Sequence, residues 1–280
     1  MKKILITGAN SFIGQSFEEY MQQYKDAYQV QTLDMIGDGW REKELSGYDA
    51  IFHVAGIVHQ KETDENRDLY YKVNRDLVAE LAQKAQMAGV SQFVFMSTMS
   101  VYGMESGVIT PDTKPVPVSH YGKSKLEAEG LLNKLQDENF TVSVLRPPMV
   151  YGKGCPGNFQ MLLSLVRKSP IFPAIKNRRS MVFIENLCAF VHLVIEKKCA
   201  GVFFPQNREC ANTTEIAKVM AKVLQRKVFF SHLAGLGVKM LIPFVGKAKK
   251  AFSTLIYQDC EQFDYCYCKE DLESSVRKSI

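Results

Sequence analysis

The sequence predicts an α/β fold, a doubly wound parallel sheet carrying a smaller C-terminal lobe, and three observations carry that reading. Short β-branched runs alternate with segments of helical spacing through the first half of the chain, the pattern of right-handed crossovers and a parallel sheet covered on both faces. Runs such as Ile51-Phe52-His53-Val54 and Phe93-Val94-Phe95-Met96 show no polar alternation, which suits strands buried on both sides. Beyond Tyr151 the texture changes, with Gly152, Gly154, Pro156, Gly157, Pro170 and Pro173 punctuating a loop-rich stretch. Irregular later segments of this kind form lobes over the carboxyl ends of such sheets, where ligands bind.

In order, residues 3–7 read as a strand, 12–24 as a helix burying Phe17, Tyr20 and Met21, and 30–34 and 50–54 as strands. The helix over 74–87 carries Leu77, Val78, Leu81, Ala82 and Ala85 on helical spacing and is closed by Gly89. A strand over 93–97, a helix over 121–135 and a strand over 142–145 follow. In the second half, residues 159–168 read as a short helix, and the stripe Leu187, Phe190, Val191, Val194 and Ile195 as core packing. Asn212-Thr213-Thr214-Glu215 is a capping box opening a helix over 216–224. The organisation predicted is a sheet domain over 1–152, joined by part of 180–204 returning to the sheet, and a lobe built mainly from 153–280.

Composition excludes several classes. With 280 residues, 46% hydrophobic and 23% charged, the chain supports a large core and is not a disordered polymer. No apolar run is long enough to cross a bilayer, since the stretch over 229–245 is interrupted by Ser231, His232, Lys239 and Pro243. An apolar strand already begins at Lys3, so no signal peptide is read and the chain is expected in the cytoplasm. The seven cysteines form no C-x-x-C pair and read as free thiols. His53, His59, His120, His192 and His232 share no ligand spacing, so no metal is expected. A net charge of +5 suits a small anionic substrate and is too diffuse for nucleic acid. The basic run over 247–250 reads as a solvated helix face, with an anionic membrane surface as the alternative partner.

Ile4 to Gly14 spells strand, tight turn and helix start. Gly8 permits the turn, Gly14 permits close helix–strand packing, and free amides at the helix start face a pyrophosphate. Ser11 stands where the longer T-G-x-x-G-x-x-G pattern has its middle glycine. Asp34, about twenty residues on at the end of the next strand, accepts hydrogen bonds from ribose hydroxyls and repels a 2′-phosphate. The fold is therefore of Rossmann type and NAD is the expected cofactor.

Tyr121-Gly122-Lys123-Ser124-Lys125 sets a phenol and an ammonium four apart, on one face of a helix. The cation should lower the tyrosine pKa, helped by the charge of an oxidised nicotinamide, so that Tyr121 exchanges a proton with a sugar hydroxyl or carbonyl. Tyr265 and Lys269 share the spacing but lack the dinucleotide context. Ser97-Thr98-Met99-Ser100 sits at a strand's carboxyl end, where hydroxyls meet substrate or simply cap a turn.

Together these pieces resemble the extended short-chain dehydrogenase/reductase superfamily, in its NAD-dependent nucleoside-diphosphate-sugar epimerase/dehydratase family, on the UDP-glucose 4-epimerase-like side. The likeness runs over most of the chain. Thr7 to Gly14 is similar to the family's cofactor loop, which implies contacts from Gly8, Ser11, Phe12, Ile13 and Gly14. His53-Val54-Ala55-Gly56 resembles its third-strand motif and Val73-Asn74 the asparagine opening the next helix, implying cofactor contacts from Val54, Ala55, Gly56 and Asn74. Ser97 to Gly103 is similar to a block whose second hydroxyl is catalytic, which maps to Thr98; this residue would also touch substrate. Tyr121 and Lys125 match the Y-x-x-x-K pair, catalytic and cofactor-binding. Leu145 to Gly152 resembles the segment passing the nicotinamide, implying Pro148. Gly157-Asn158-Phe159 and Arg179-Ser180-Met181-Val182-Phe183-Ile184-Glu185-Asn186 resemble substrate segments, implying that Asn158 and Arg179 hold a nucleoside-diphosphate sugar, UDP-linked. The family also offers a homodimer through the helices over 74–87 and 121–135, and a place in bacterial surface-polysaccharide synthesis.

In the dehydratases the catalytic hydroxyl is followed by Asp-Glu; here Met99 and Ser100 stand there, which argues against dehydration. Two reactions remain, 4-epimerisation by transient oxidation at C4 and NAD(P)H-dependent reduction of a UDP-4-keto-6-deoxyhexose. The residues required are the same. Asp34 tips the reading toward NAD and the epimerase. A non-catalytic NAD(P) sensor is a third reading, opposed by the joint retention of Thr98, Tyr121 and Lys125.

Overall fold

The computed structural model describes residues 1–58, 60, 62–241 and 252–280. His59, the basic run 247–250 and the end of the 229–245 stretch lie outside the described residues. The chain opens with β1 (Lys2–Thr7), α1 (Phe12–Met21), β2 (Tyr28–Leu33), β3 (Ala50–His53), α2 (Arg67–Tyr71) and α3 (Leu77–Met87). Next come β4 (Gln92–Met96), β5 (Gly107–Ile109), α4 (His120–Leu135), β6 (Thr141–Leu145), β7 (Met149–Tyr151) and α5 (Asn158–Lys168). It continues through β8 (Ile171–Pro173), β9 (Met181–Phe183), α6 (Ile184–Glu196), β10 (Gly201–Phe203) and α7 (Thr213–Val223). It ends with β11 (Phe229–Ser231), α8 (His232–Leu241), β12 (Leu255–Tyr257) and α9 (Leu272–Lys278).

Two compact units emerge, one of residues 1–103, 114–147 and 187–205, the other of 104–113, 148–186 and 206–280. The first holds a six-stranded parallel sheet in the order β10-β6-β4-β3-β1-β2. β3 and β4 are buried throughout, as their unalternating apolar runs require. Phe93, Phe95 and Ile51 pack with Leu81 and Ala85 of α3 and Ala128 and Leu132 of α4, while Phe17 of α1 meets Phe52 edge-on at 5.0 Å. The chain leaves β1 toward β2 on one side and returns to β3 on the other, so the strand order reverses between β1 and β3. In open α/β sheets the ligand crevice lies outside the carboxyl ends of the strands at that reversal.

The helix expected to open at Asn74 begins earlier. A continuous helical run starts at Arg67, and Asn74 lies inside a π-helical stretch, Lys72–Asp76, between α2 and α3. Such π turns concentrate at functional sites. The strand Gly201–Phe203, within the stretch 180–204 expected to return to the sheet, pairs with β6.

The second unit is built from three two-stranded parallel pairs, β5–β12, β7–β9 and β8–β11. None of these three-residue strands has enough length to show a period. Asn212 caps α7, its side-chain Oδ1 accepting the N–H groups of Thr214 and Glu215. Asp271 likewise caps α9. Tyr151 is buried, stacked on Phe159 at 5.0 Å, and hydrogen-bonded to Ser275 at 2.7 Å. All seven cysteines are free thiols. Among the described residues there is no metal-binding cluster, and no helix is long and apolar enough to cross a membrane.

Candidate active site

The cofactor loop is assembled from backbone. Gly8 follows β1 with φ +94°, a left-handed conformation that glycine adopts without strain. A Cβ there would stand 2.9 Å from the Ala55 amide nitrogen, and one at Gly14 would stand 3.2 Å from Val54 Cγ2. The loops after β1 and β3 therefore touch through glycine, and Val54 also donates its N–H to the Thr7 carbonyl at 3.1 Å. Ser11 is the N-cap of α1, its Oγ accepting the Gly14 N–H at 3.0 Å. The following residues, Phe12 and Ile13, occupy the first turn, whose N–H groups have no intrahelical partner and sit at the positive end of the helix. Asp34, exposed just past β2, accepts the Ile36 N–H through Oδ1 at 2.9 Å, which leaves its second oxygen for a ribose. A dinucleotide fits this cradle: small residues where a pyrophosphate approaches, helix amides aimed at it, and a carboxylate at the adenosine end.

Thr98, Tyr121 and Lys125, the residues expected to be catalytic, lie at the carboxyl ends of the same strands. Thr98 follows β4 and caps the short turn Met99–Tyr102 by accepting the Ser100 N–H at 3.1 Å. Tyr121 is at the second position of α4. The helix approaches the Thr98 turn because Gly122 leaves room, a Cβ at that position falling 2.7 Å from the Ser100 carbonyl. Lys125, one turn on and buried, donates to the Met96 carbonyl at 2.9 Å and lies 4.6 Å over the Phe95 ring.

Burial pushes Tyr121 up to about 12, opposed chiefly by its bond to Thr98. Burial also pushes Lys125 down to about 7, with the Glu129 carboxylate pulling the other way. Burial thus favours the protonated phenol.

Asn74 is fully buried. Its Oδ1 accepts the Ile57 N–H at 2.8 Å and its Nδ2 donates to the Ile57 carbonyl at 3.0 Å, with Ser124 Oγ at 3.4 Å. It thus ties the loop after β3 to α4. Gly56 sits in that loop where a Cβ would be 2.8 Å from Asn74 Oδ1 and 3.3 Å from Lys125 Nζ. Of the remaining sequence-predicted residues, Pro148 is buried between β6 and β7, and Asn158 is exposed at the first position of α5. Arg179 is half-buried in the second unit, where desolvation lowers its pKa and Nη1 donates to the Ser253 carbonyl at 3.0 Å. Among the described residues no carboxylate pairs with it.

Two contributors are absent from the motif reading. Glu62 spreads both carboxylate oxygens over the start of α4, accepting the N–H groups of His120 at 2.9 Å and Tyr121 at 3.0 Å, while Ser119 accepts that of Gly122. The first turn holding the tyrosine is thereby fully capped. Glu129, another turn beyond Lys125, is buried with Arg146, which binds it through Nε at 3.1 Å and Nη2 at 2.5 Å, and with Ser97. Arg146 also donates to Tyr102 Oη at 2.8 Å. The Y-x-x-x-K spacing extended by four would have flagged Glu129; nothing local flags Glu62.

The sheet reversal, the glycine cradle and the Thr98–Tyr121–Lys125 group define a dinucleotide-dependent enzyme of the extended short-chain dehydrogenase/reductase type. The model of the NAD dependent epimerase/dehydratase family matches residues 4–203, and the chain belongs to that family, whose cofactor is NAD. Over 251 residues the chain is 29% identical to a UDP-glucose 4-epimerase of Vibrio cholerae, covering 80% of this chain and 76% of that one. It is 24% identical to the N-acetyl-alpha-D-glucosaminyl-diphospho-ditrans,octacis-undecaprenol 4-epimerase of Escherichia coli O157:H7, covering 93% and 87%. The fold matches that of a UDP-glucuronic acid 4-epimerase from Bacillus cereus in complex with NAD, with a TM-score of 0.76 at 19% identity, over 99% and 97% of the two chains.

Proposed function

We propose that the chain is an NAD-dependent 4-epimerase of a nucleoside-diphosphate hexose, UDP-linked, working by transient oxidation at C4. The observation that carries this reading is the meeting of the Thr98 turn with the first turn of α4, Gly122 against the Ser100 carbonyl, beside the buried Lys125 at the carboxyl ends of β3 and β4 next to the glycine cradle. NAD, when bound, takes up a hydride and gives it back. Tyr121 receives the O4 proton as the hydride leaves and returns it when the hydride comes back to the other face of the sugar. Thr98 holds the same oxygen, and the Lys125 ammonium, held on the Met96 carbonyl, sets positive charge beside the site. Arg179 and Asn158 hold the diphosphate and nucleotide, a guanidinium fork being suited to phosphate oxygens.

Three features support epimerisation among the family's reactions. Met99, buried, and Ser100 stand where elimination of water would need an acid pair. The exposed Asp34 carboxylate suits NAD, and a reaction without net redox change suits a cofactor that is regenerated in place. Both relatives above carry 4-epimerase in their names.

The test uses purified protein with UDP-N-acetylglucosamine and with UDP-glucose plus trace NAD, following sugar NMR and nicotinamide absorbance together. The expected outcome is the galacto epimer with no lasting NADH. No epimer from either sugar, together with stoichiometric NADH loss on a 4-keto-6-deoxy sugar, would make the protein a reductase. Full biological activity in a Tyr121→Phe variant would make it a cofactor sensor.

A further inference from the structure

The second unit carries a charge and apolar pattern that sugar chemistry does not use. Residues 148–184 hold six Lys and Arg and residues 216–258 hold eight, and neither stretch has a single Asp or Glu until Glu185 and Asp259. The chain as a whole is only +5, so the basic excess is concentrated here. The fold brings the two stretches together: β8 pairs with β11, setting Ile171 opposite Phe229. Arg226 donates to the Arg167 carbonyl, which places the basic pair Arg226–Lys227 next to Arg167–Lys168 at the end of α5.

Within this basic field α8 is turned inside out. A surface helix ordinarily buries its apolar stripe. Here Gly235 faces in, a Cβ there falling 2.2 Å from the Ala174 carbonyl. Leu233, Leu236 and Met240, spaced three and four apart on one stripe, are 80%, 58% and 70% exposed. Phe229 and Ile171 are exposed as well. At Gly235 the inward side has no room for a side chain.

We propose that this face docks on an anionic phospholipid surface, with Leu233, Leu236 and Met240 entering the headgroup–acyl boundary and Arg226, Lys227, Arg167 and Lys168 pairing with lipid phosphates. An exposed Leu/Met stripe within a basic surface is the composition of an interfacial helix, and cationic side chains near an anionic leaflet add attraction that reaches about a Debye length. A second copy of the chain would bring the same positive field against itself, which opposes self-association. The inference is independent of the sugar substrate and of the reaction.

The experiment is flotation of the full-length protein with two kinds of vesicle, phosphatidylcholine alone and phosphatidylcholine with phosphatidylglycerol in equal parts. Binding to the anionic vesicles about tenfold or more above the neutral ones, weakened by added salt, is expected. The triple variant Leu233→Gln, Leu236→Gln, Met240→Gln and the double variant Arg226→Glu, Lys227→Glu should each lower that binding about tenfold, with thermal stability unchanged because the altered side chains are exposed. Absence of binding to either vesicle overturns the proposal. So does equal binding to both, or a triple variant that keeps lipid affinity but converts a concentration-dependent dimer to monomer, which would make the face a contact between copies.

Discussion

At the scale of single residues the site is governed by burial acting on two neighbouring ionisable groups. Tyr121, pushed up to about 12, is protonated in the resting protein and becomes a base only when positive charge is placed beside it. Tyr121→Phe removes the proton carrier while keeping the ring, so we expect turnover to fall about 10²–10⁴-fold with NAD affinity nearly unchanged. A steady-state measurement in which KM rises and kcat holds would contradict that role. Lys125 makes a separate prediction through stability. Burial brings it from 10.5 down to about 7, so between those values the unfolded chain binds more protons than the folded one and stability rises with pH. Below about 7 both states are protonated and the penalty is constant. The buried His53 titrates lower, near 3, and leaves that window clear. Melting temperature followed from pH 7 toward 10 in wild type and in Lys125→Met should therefore show the rise from this lysine in the first and not in the second. Parallel curves would mean the ammonium is better solvated than its contacts imply.

At the scale of elements, three pieces of chain must meet for the trio to form: the end of β4, the turn over Met99–Tyr102 and the first turn of α4. Gly122 controls their approach. Gly122→Ala inserts a methyl 2.7 Å from the Ser100 carbonyl, and the backbone on one side must give way. The loss expected is about 1–3 kcal/mol of stability and a drop in kcat of at least about tenfold, because a small displacement separates Tyr121 from Thr98. A variant with wild-type kcat would show that the helix tolerates the shift. The same elements mark what a reader of the sequence sees. The main strands through β6 and the helix after the tyrosine are visible, because buried strands leave continuous apolar runs and α3 keeps its 3.6-residue stripe. The cofactor loop and the Tyr–Lys pair are visible because their spacing is local. Glu62 is not, since it reaches α4 across 58 residues and carries no period of its own. The π-helical stretch around Asn74 is hidden for a different reason, as a π turn differs from an α turn only in hydrogen bonding. The short strand pairs of the second unit are too brief for any alternation to register.

At the scale of the whole molecule, the cofactor and the substrate groups draw on different parts of the chain. Every cofactor-loop residue, Asp34 and the catalytic trio belong to the first unit, whereas Asn158, Arg179 and the basic apolar face belong to the second. Ligands that bind only the folded state stabilise it in proportion to the logarithm of saturation, about 2.7 kcal/mol at a hundred times the dissociation constant. For a chain of this size that amounts to roughly 5–10 °C. NAD should produce such a shift. NADP should produce little, because its 2′-phosphate would meet the Asp34 carboxylate, which no arginine follows in Met35-Ile36-Gly37-Asp38. Asp34→Ser removes the repulsion and should bring the two shifts together, mainly by raising the response to NADP. Hydrogen exchange would locate the effect: NAD should slow exchange around residues 8–14 and 54–57 and leave α8 as it was. Equal shifts from NAD and NADP in wild type would assign discrimination to some other residue, and protection of α8 by NAD would show that the two units respond as one.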